Sequence, residues 1–228
     1  GRKAKLVDEV SENDSQDEEE AIPLKKSIPM LFKNKYWVIL ILFNLITQIT
    51  NSIAATSGTY YCKWIFGNDN LVALAGALGF FATLVGFVVS KPIIAKLGVR
   101  KTIDFGVLGA AFTALIRCII PTNFKVYIAV SVIGSFVQIP LMCLYGVLLA
   151  MVIDYNEYTY YNKMVGVSSG AIGIGTKIGS GVGSVILTAC LALGAYNPDL
   201  EVATTSMRYA IYAFSNYLPL IINLGLFV

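Results

Sequence analysis

The stretch 145-YGVLLAMVIDYNEYTYYNKMVGVSSGAIGIGTKIGSGVG-183 joins two apolar segments through a polar turn that carries Asp154 and Glu157. The second segment is glycine-rich and holds one lysine, Lys177, deep inside it. The apolar segments it joins, 126–153 and 164–194, each meet the length of about 20 residues that a helix needs to cross a bilayer. The stretch reads as two membrane helices with a short connection, which sets the fold class for the rest of the chain.

Composition agrees. Of 228 residues, 56% are hydrophobic and 14% charged, with a mean hydropathy of +0.69. A soluble domain could not cover its surface with so few polar side chains. The acids are unevenly placed, because Asp8, Glu9, Glu12, Asp14, Asp17, Glu18, Glu19 and Glu20 all precede the apolar part. The net charge of +3 therefore averages an acidic tail with a basic remainder. There is no histidine, and Cys62, Cys118, Cys143 and Cys190 stand singly in apolar runs. That spacing fits neither a zinc site nor a disulfide framework, so no metal, no cofactor and no enzyme chemistry is expected. The chain opens on Gly1 and a charged tail, from which a fragment of a longer protein without a signal peptide is expected.

Residues 1–35 are expected to form a mostly disordered linker, acidic and then basic. Near its end Ile28, Met30, Leu31 and Phe32 interleave with Lys26, Lys33 and Lys35, a pattern suited to a membrane surface. Six apolar segments follow, at 36–62, 71–95, 103–120, 126–153, 164–194 and 207–228. With about 20 residues needed per crossing, the chain is expected to be an all-α integral membrane protein of six transmembrane helices. Lysines and arginines concentrate in the tail, in the second connection (Lys91, Lys96, Arg100, Lys101) and at Lys163. The positive-inside rule then places residues 1–35 in the cytoplasm.

Three features bear on chemistry. In the first helix Asn44, Thr47, Gln48 and Asn51, with Ser52 beside them, make one polar stripe. It suits hydrogen bonding to hydroxyls or water in a cavity, and equally the bonding of one helix to another. In the fifth, Gly175, Gly179 and Gly183 recur every four residues, as do Gly166 and Gly170, which lets helix backbones approach closely. Lys177 lies about 20 Å from the segment's start, too deep to snorkel to either face. A charge held there costs about 2.5–3.5 kcal/mol and marks a pathway or a site. No acid in the six segments matches its depth, so its partner is substrate, water, backbone or another part of the protein. The acids of the 154–158 turn and Lys163 share a side with Lys96, Arg100 and Lys101, and could form a breakable clamp. Arg117 is expected to snorkel outward.

Several stretches resemble one family. LFKNKYWVILILFNLITQ (31–48), YYCKWIFG (60–67), KPIIAKLGVRKT (91–102), the I-D-Y-N-E-Y turn and T-K-I-G-S-G (176–181) are similar to the C-terminal half of a glycoside-pentoside-hexuronide cation symporter. That is the melibiose-permease-like branch of the major facilitator superfamily. The resemblance implies a twelve-helix transporter of two six-helix lobes with sugar bound between them. It makes 1–35 the central cytoplasmic linker and 36–228 helices seven to twelve, in the cell membrane. By position it implies a substrate site of Lys177, Thr176, Gly173, Asn44, Gln48, Asn51 and Met142. It also implies an inner gate of Asp154, Tyr155, Glu157, Lys163, Arg100 and Lys101. Asn156 stands where the family commonly has glycine and Lys163 where arginine is frequent. Gly173, Ile172 and Met142 replace polar or aromatic residues of galactoside binders, which counts against melibiose itself.

The implied partners are a small glycoside, a coupling cation (sodium or proton) held mainly by the N-terminal lobe, that lobe itself and the lipid bilayer, with no nucleic acid. Two alternatives keep the fold: a transporter of organic anions or hexuronides, and a non-transporting membrane sensor or scaffold.

Overall fold

The computed structural model describes residues 24–162 and 164–227, and its regular elements are all helical. A short amphipathic helix, α1 (Leu24–Lys33), precedes α2 (Lys35–Trp64), α3 (Asn70–Ile119), α4 (Phe124–Tyr160) and α5 (Val165–Leu193). The last crossing is built from α6 (Thr205–Tyr212), a π turn (Ala213–Tyr217) and α7 (Leu218–Phe227). The helix starts are written in local sequence: Asn34 accepts from the backbone N–H groups of Tyr36 and Trp37. Asn123 does the same for Lys125 and Val126, and Thr204 for Met207. Each cap satisfies donors that the first helical turn leaves free.

Five of these helices are long and apolar enough to cross a membrane. The difference from six separate segments lies in α3, whose 50 residues run through the connection expected at 96–102. Helical geometry is left only at Gly98 (φ 74, ψ 175), a conformation open to glycine and costly for residues with a Cβ. One residue thus redirects the chain without a loop. The 154–158 turn is also corrected: Asp154 to Tyr158 are helical, because α4 continues to Tyr160 and the Tyr161 N–H still bonds to the Glu157 carbonyl. The chain reverses instead around left-handed Tyr161 (φ 54) and Met164 (φ 48). Within the segment expected to be disordered, residues 24–33 form α1, which buries Leu31 and Ser27 while leaving Phe32 65% exposed. Residues 1–23 lie outside the described part.

Close backbone approach holds the bundle together. In α3, Gly86, Gly106 and Gly109 face Ile139, Leu141 and Val137 of α4. α5 lies along α2 through Gly179 and Gly183, where an added Cβ would stand 2.7 Å from the carbonyl oxygens of Leu45 and Ile49. Two apolar clusters close the ends. One gathers Ile53, Tyr61, Trp64, Tyr127, Leu187, Met207 and Phe214; the other gathers Leu31, Trp37, Leu40, Val152 and Met164.

Arg117 does not snorkel outward. Its Nη2 donates to Ser131 Oγ at 2.6 Å, and its guanidinium lies 4.8 Å from the centre of the Tyr127 ring. A hydroxyl acceptor and an aromatic face inside the bundle replace the water that snorkelling would have sought.

Candidate substrate site and inner gate

The polar stripe of α2 is divided between two neighbours. Asn44, Gln48 and Ser52 face α5. The Thr176 hydroxyl lies 3.1 Å from Asn44 Oδ1 and 3.0 Å from the Ile172 carbonyl, and Ser52 Oγ donates to the Ser180 carbonyl at 2.9 Å. The Gln48 Cβ packs against Gly179. About 60° round the helix, Thr47 and Asn51 turn instead to a cleft shared with Gln138, Met142 and Tyr145 of α4 and Asn223 of α7. The Thr47 hydroxyl is spent on the Phe43 carbonyl (2.8 Å) and the Asn223 amide N–H on the Pro219 carbonyl (2.7 Å). The cleft keeps both donors and acceptors, from Asn51, Gln138 and Tyr145, and its volume of about 20 Å³ has room for a single water. Such a space can hydrate the wall of a larger cavity; it does not hold a sugar by itself.

Lys177 lies on the other side of α5. Gly175, Gly179 and Gly183 face α2, and a residue two positions after Gly175 projects about 200° away. Lys177 is exposed there, and an added Cβ at Gly166, Gly170, Gly173 or Gly181 would meet nothing within 4 Å. Lys177 and Gly173 therefore share an open face. Thr176, Asn44 and Gln48 belong to the packed seam, while Asn51 and Met142 line the small cleft. The seven residues implied as a substrate site are thus distributed over three surfaces of this chain.

At the other candidate site, Asp154 and Glu157 lie on the exposed side of the last turns of α4. The Tyr155 ring meets Tyr36 edge-on at 5.0 Å. Arg100 and Lys101 are exposed just beyond the Gly98 kink; Lys163 lies outside the described residues.

Two buried polar groupings were missed from sequence. In one, Asn34 Nδ2 donates to Asn156 Oδ1 at 2.7 Å, and Asn156 Nδ2 donates to Ser168 Oγ at 3.4 Å. In the other, Asn216 of the π turn donates to the Tyr61 hydroxyl (3.2 Å) and to the Arg117 carbonyl (3.3 Å). The Tyr61 hydroxyl in turn donates to the Pro121 carbonyl at 2.7 Å. Asparagine before an apolar run is a cap signal that could have flagged Asn34; nothing local marks its long-range partner.

Five apolar helices of membrane-crossing length give the chain the build of a multi-pass membrane protein. The family model described as MFS/sugar transport protein matches residues 4–228, and the chain belongs to that family. Two curated relatives agree. A protein of Escherichia coli (strain K12) named for glycoside/cation symport, YagG, is 19% identical over 204 residues, covering 89% of this chain and 44% of its own. The isoprimeverose transporter of Lactiplantibacillus pentosus is 28% identical over 183 residues, covering 77% of this chain and 37% of its own. The chain spans less than half the length of these relatives.

Proposed function

We propose that this chain is the C-terminal lobe of a secondary transporter that takes up a glycoside together with a cation by alternating access. Gly98 divides the 50 residues of α3 into two crossings, since about 75 Å of continuous helix far exceeds a hydrocarbon core of about 30 Å. With α2, α4, α5 and the α6–α7 crossing this makes six, which puts residues 1–35 on the cytoplasmic side with Lys96, Arg100 and Lys101. Residues 36–228 then form one lobe in the cell membrane, and the coupling cation, sodium or proton, is held mainly by the other lobe.

The observation that carries the reading is the open, glycine-lined face of α5 around Lys177, opposite the seam with α2. A cation at that depth is stable against water, substrate or an acid of the facing lobe and costly against lipid. Its ammonium donates hydrogen bonds to sugar hydroxyls or pairs with that acid, which links sugar occupancy to cation occupancy. We assign Asp154, Tyr155, Glu157, Lys163, Arg100 and Lys101 to a gate at the cytoplasmic end, in which exposed ion pairs, worth about 0.2–1 kcal/mol each, would be weak enough to open.

The test is uptake of labelled glycosides, with isoprimeverose as the first probe, into vesicles bearing the full-length protein under imposed sodium or proton gradients. Gradient-driven accumulation is expected. Uptake of hexuronides in preference to neutral sugars would move the assignment to organic anions, and no uptake across the panel by folded protein would favour a sensor or scaffold.

A further inference from the structure

Asn156 is fully buried between two acids of the proposed gate, and its surroundings give it a task. It is the middle member of a chain of side chains that crosses three helices: Asn34, 1% exposed, at the joint of α1 and α2; Asn156, 0% exposed, near the end of α4; and Ser168, 0% exposed, in the first turn of α5. The direction of the chain has one solution. Asn34 Oδ1 must accept from the backbone N–H groups of Tyr36 (2.9 Å) and Trp37 (3.3 Å), so its NH2 group is the one that faces Asn156. Asn156 then presents its oxygen to Asn34 and its own NH2 group to Ser168.

Burial of Asn156 also aims its neighbours. Asp154 lies about 200° round the helix from it and Glu157 about 100°, so an inward amide puts both acids outward. The apolar side chains of Leu31, Trp37, Val152 and Met164 pack around this end and exclude water from it. The Tyr36–Tyr155 contact, 5.0 Å between ring centres, adds a second tie between the start of α2 and the gate turn.

We propose that Asn156 is a positioning residue for the inner gate: the relay Asn34–Asn156–Ser168 joins the linker helix α1 and the start of α2 to the end of α4 and the start of α5, so that linker and gate move as one unit. The inference rests on the transport reading above for its gate and on the buried hydrogen bonds for its tie. A unit of this kind carries a change at the linker into the orientation of Asp154 and Glu157.

The experiment uses the full-length protein in lipid vesicles, with Asn156→Leu as the main variant. Leucine keeps the number and branching of the side-chain heavy atoms, and the helix, while removing both hydrogen bonds. Hydrogen exchange of residues 24–37 is expected to rise about tenfold while that of residues 205–227 is unchanged. The maximal rate of isoprimeverose uptake is expected to fall about fivefold at unchanged KM, since the gate and not the sugar contact is disturbed. Ser168→Ala, which spares the Asn34–Asn156 bond, is expected to shift both in the same direction by less, and serves if Asn156→Leu does not fold.

Unchanged exchange at 24–37 would overturn the tie. Raised exchange with maximal rate and KM both unaltered would overturn the positioning role. A wild-type protein that moves no glycoside would overturn the transport reading and with it the gate, while exchange would still decide the tie.

Discussion

The two faces of α5 use the same residue for opposite ends. Toward α2, Gly179 and Gly183 are closed: an added Cβ would sit 2.7 Å from a backbone oxygen, and neither helix can yield without moving away. On the far side Gly166, Gly170, Gly173 and Gly181 face open space around Lys177. Glycine on the first face brings two helices together. On the second it leaves a smooth, low-relief surface beside a cation. In the proposed transporter that surface looks across the central cavity to the other lobe, where low relief allows rocking and large side chains would obstruct it.

Gly183→Leu carries the largest expected effect. The closed face should not accept it, and destabilisation of about 3 kcal/mol is expected, read as loss of the folded peak on size exclusion in detergent. A well-folded Gly183→Leu protein would show that the seam is not close-packed.

Next in size is Lys177→Ala on the open face. Substrate affinity in the full-length protein is expected to fall about 10- to 100-fold, equivalent to about 1.4–2.8 kcal/mol, with the thermal midpoint unchanged. A lowered midpoint with normal affinity would make the lysine a packing element instead.

Ser52→Ala sharpens the closed face further. It removes the bond to the Ser180 carbonyl, and a loss of about 0.6 kcal/mol is expected by thermal unfolding, the usual size for a polar contact between membrane helices. Smallest is Gly170→Ala, for which stability should stay within about 0.5 kcal/mol and uptake should be unchanged. A large loss there would mean that the open face is packed in the full-length protein.

Much of the architecture was legible in the sequence. The apolar runs, the lysine within the glycine-rich segment and the resemblance to a sugar symporter are all read from residue order. The glycine spacing was legible only in half. Gly166 and Gly170 show the same interval as Gly175 and Gly179, yet only the latter two pack against a neighbour, because periodicity defines a face of a helix and not what covers it. The polar residues at 154–158 suggested a turn, but a helix continues as long as its backbone bonds do, and these residues had no breaker among them. Gly98 was visible as a glycine among basic residues; that it turns the chain without a loop needed its φ of 74°.

The candidate substrate site was least legible. Asn44, Asn51 and Lys177 look alike as polar residues in apolar helices, and the fold assigns one to a seam, one to a water-sized cleft and one to an open face. Arg117 was misread for the same reason, since Ser131 and Tyr127 are remote from any local pattern that involves it.

Residue order alone shows that the chain is helical and where its apolar, bilayer-length runs lie. Those are properties of each segment against its solvent, so apolar length and intrasegment hydrogen bonding suffice to state them. Packing between helices decides which face of each is covered, and so which polar groups are spent on cohesion and which are left for a ligand. That assignment depends on pairs of residues far apart in the chain, such as Asn34 with Asn156 or Asn44 with Thr176, whose encounter no single segment encodes.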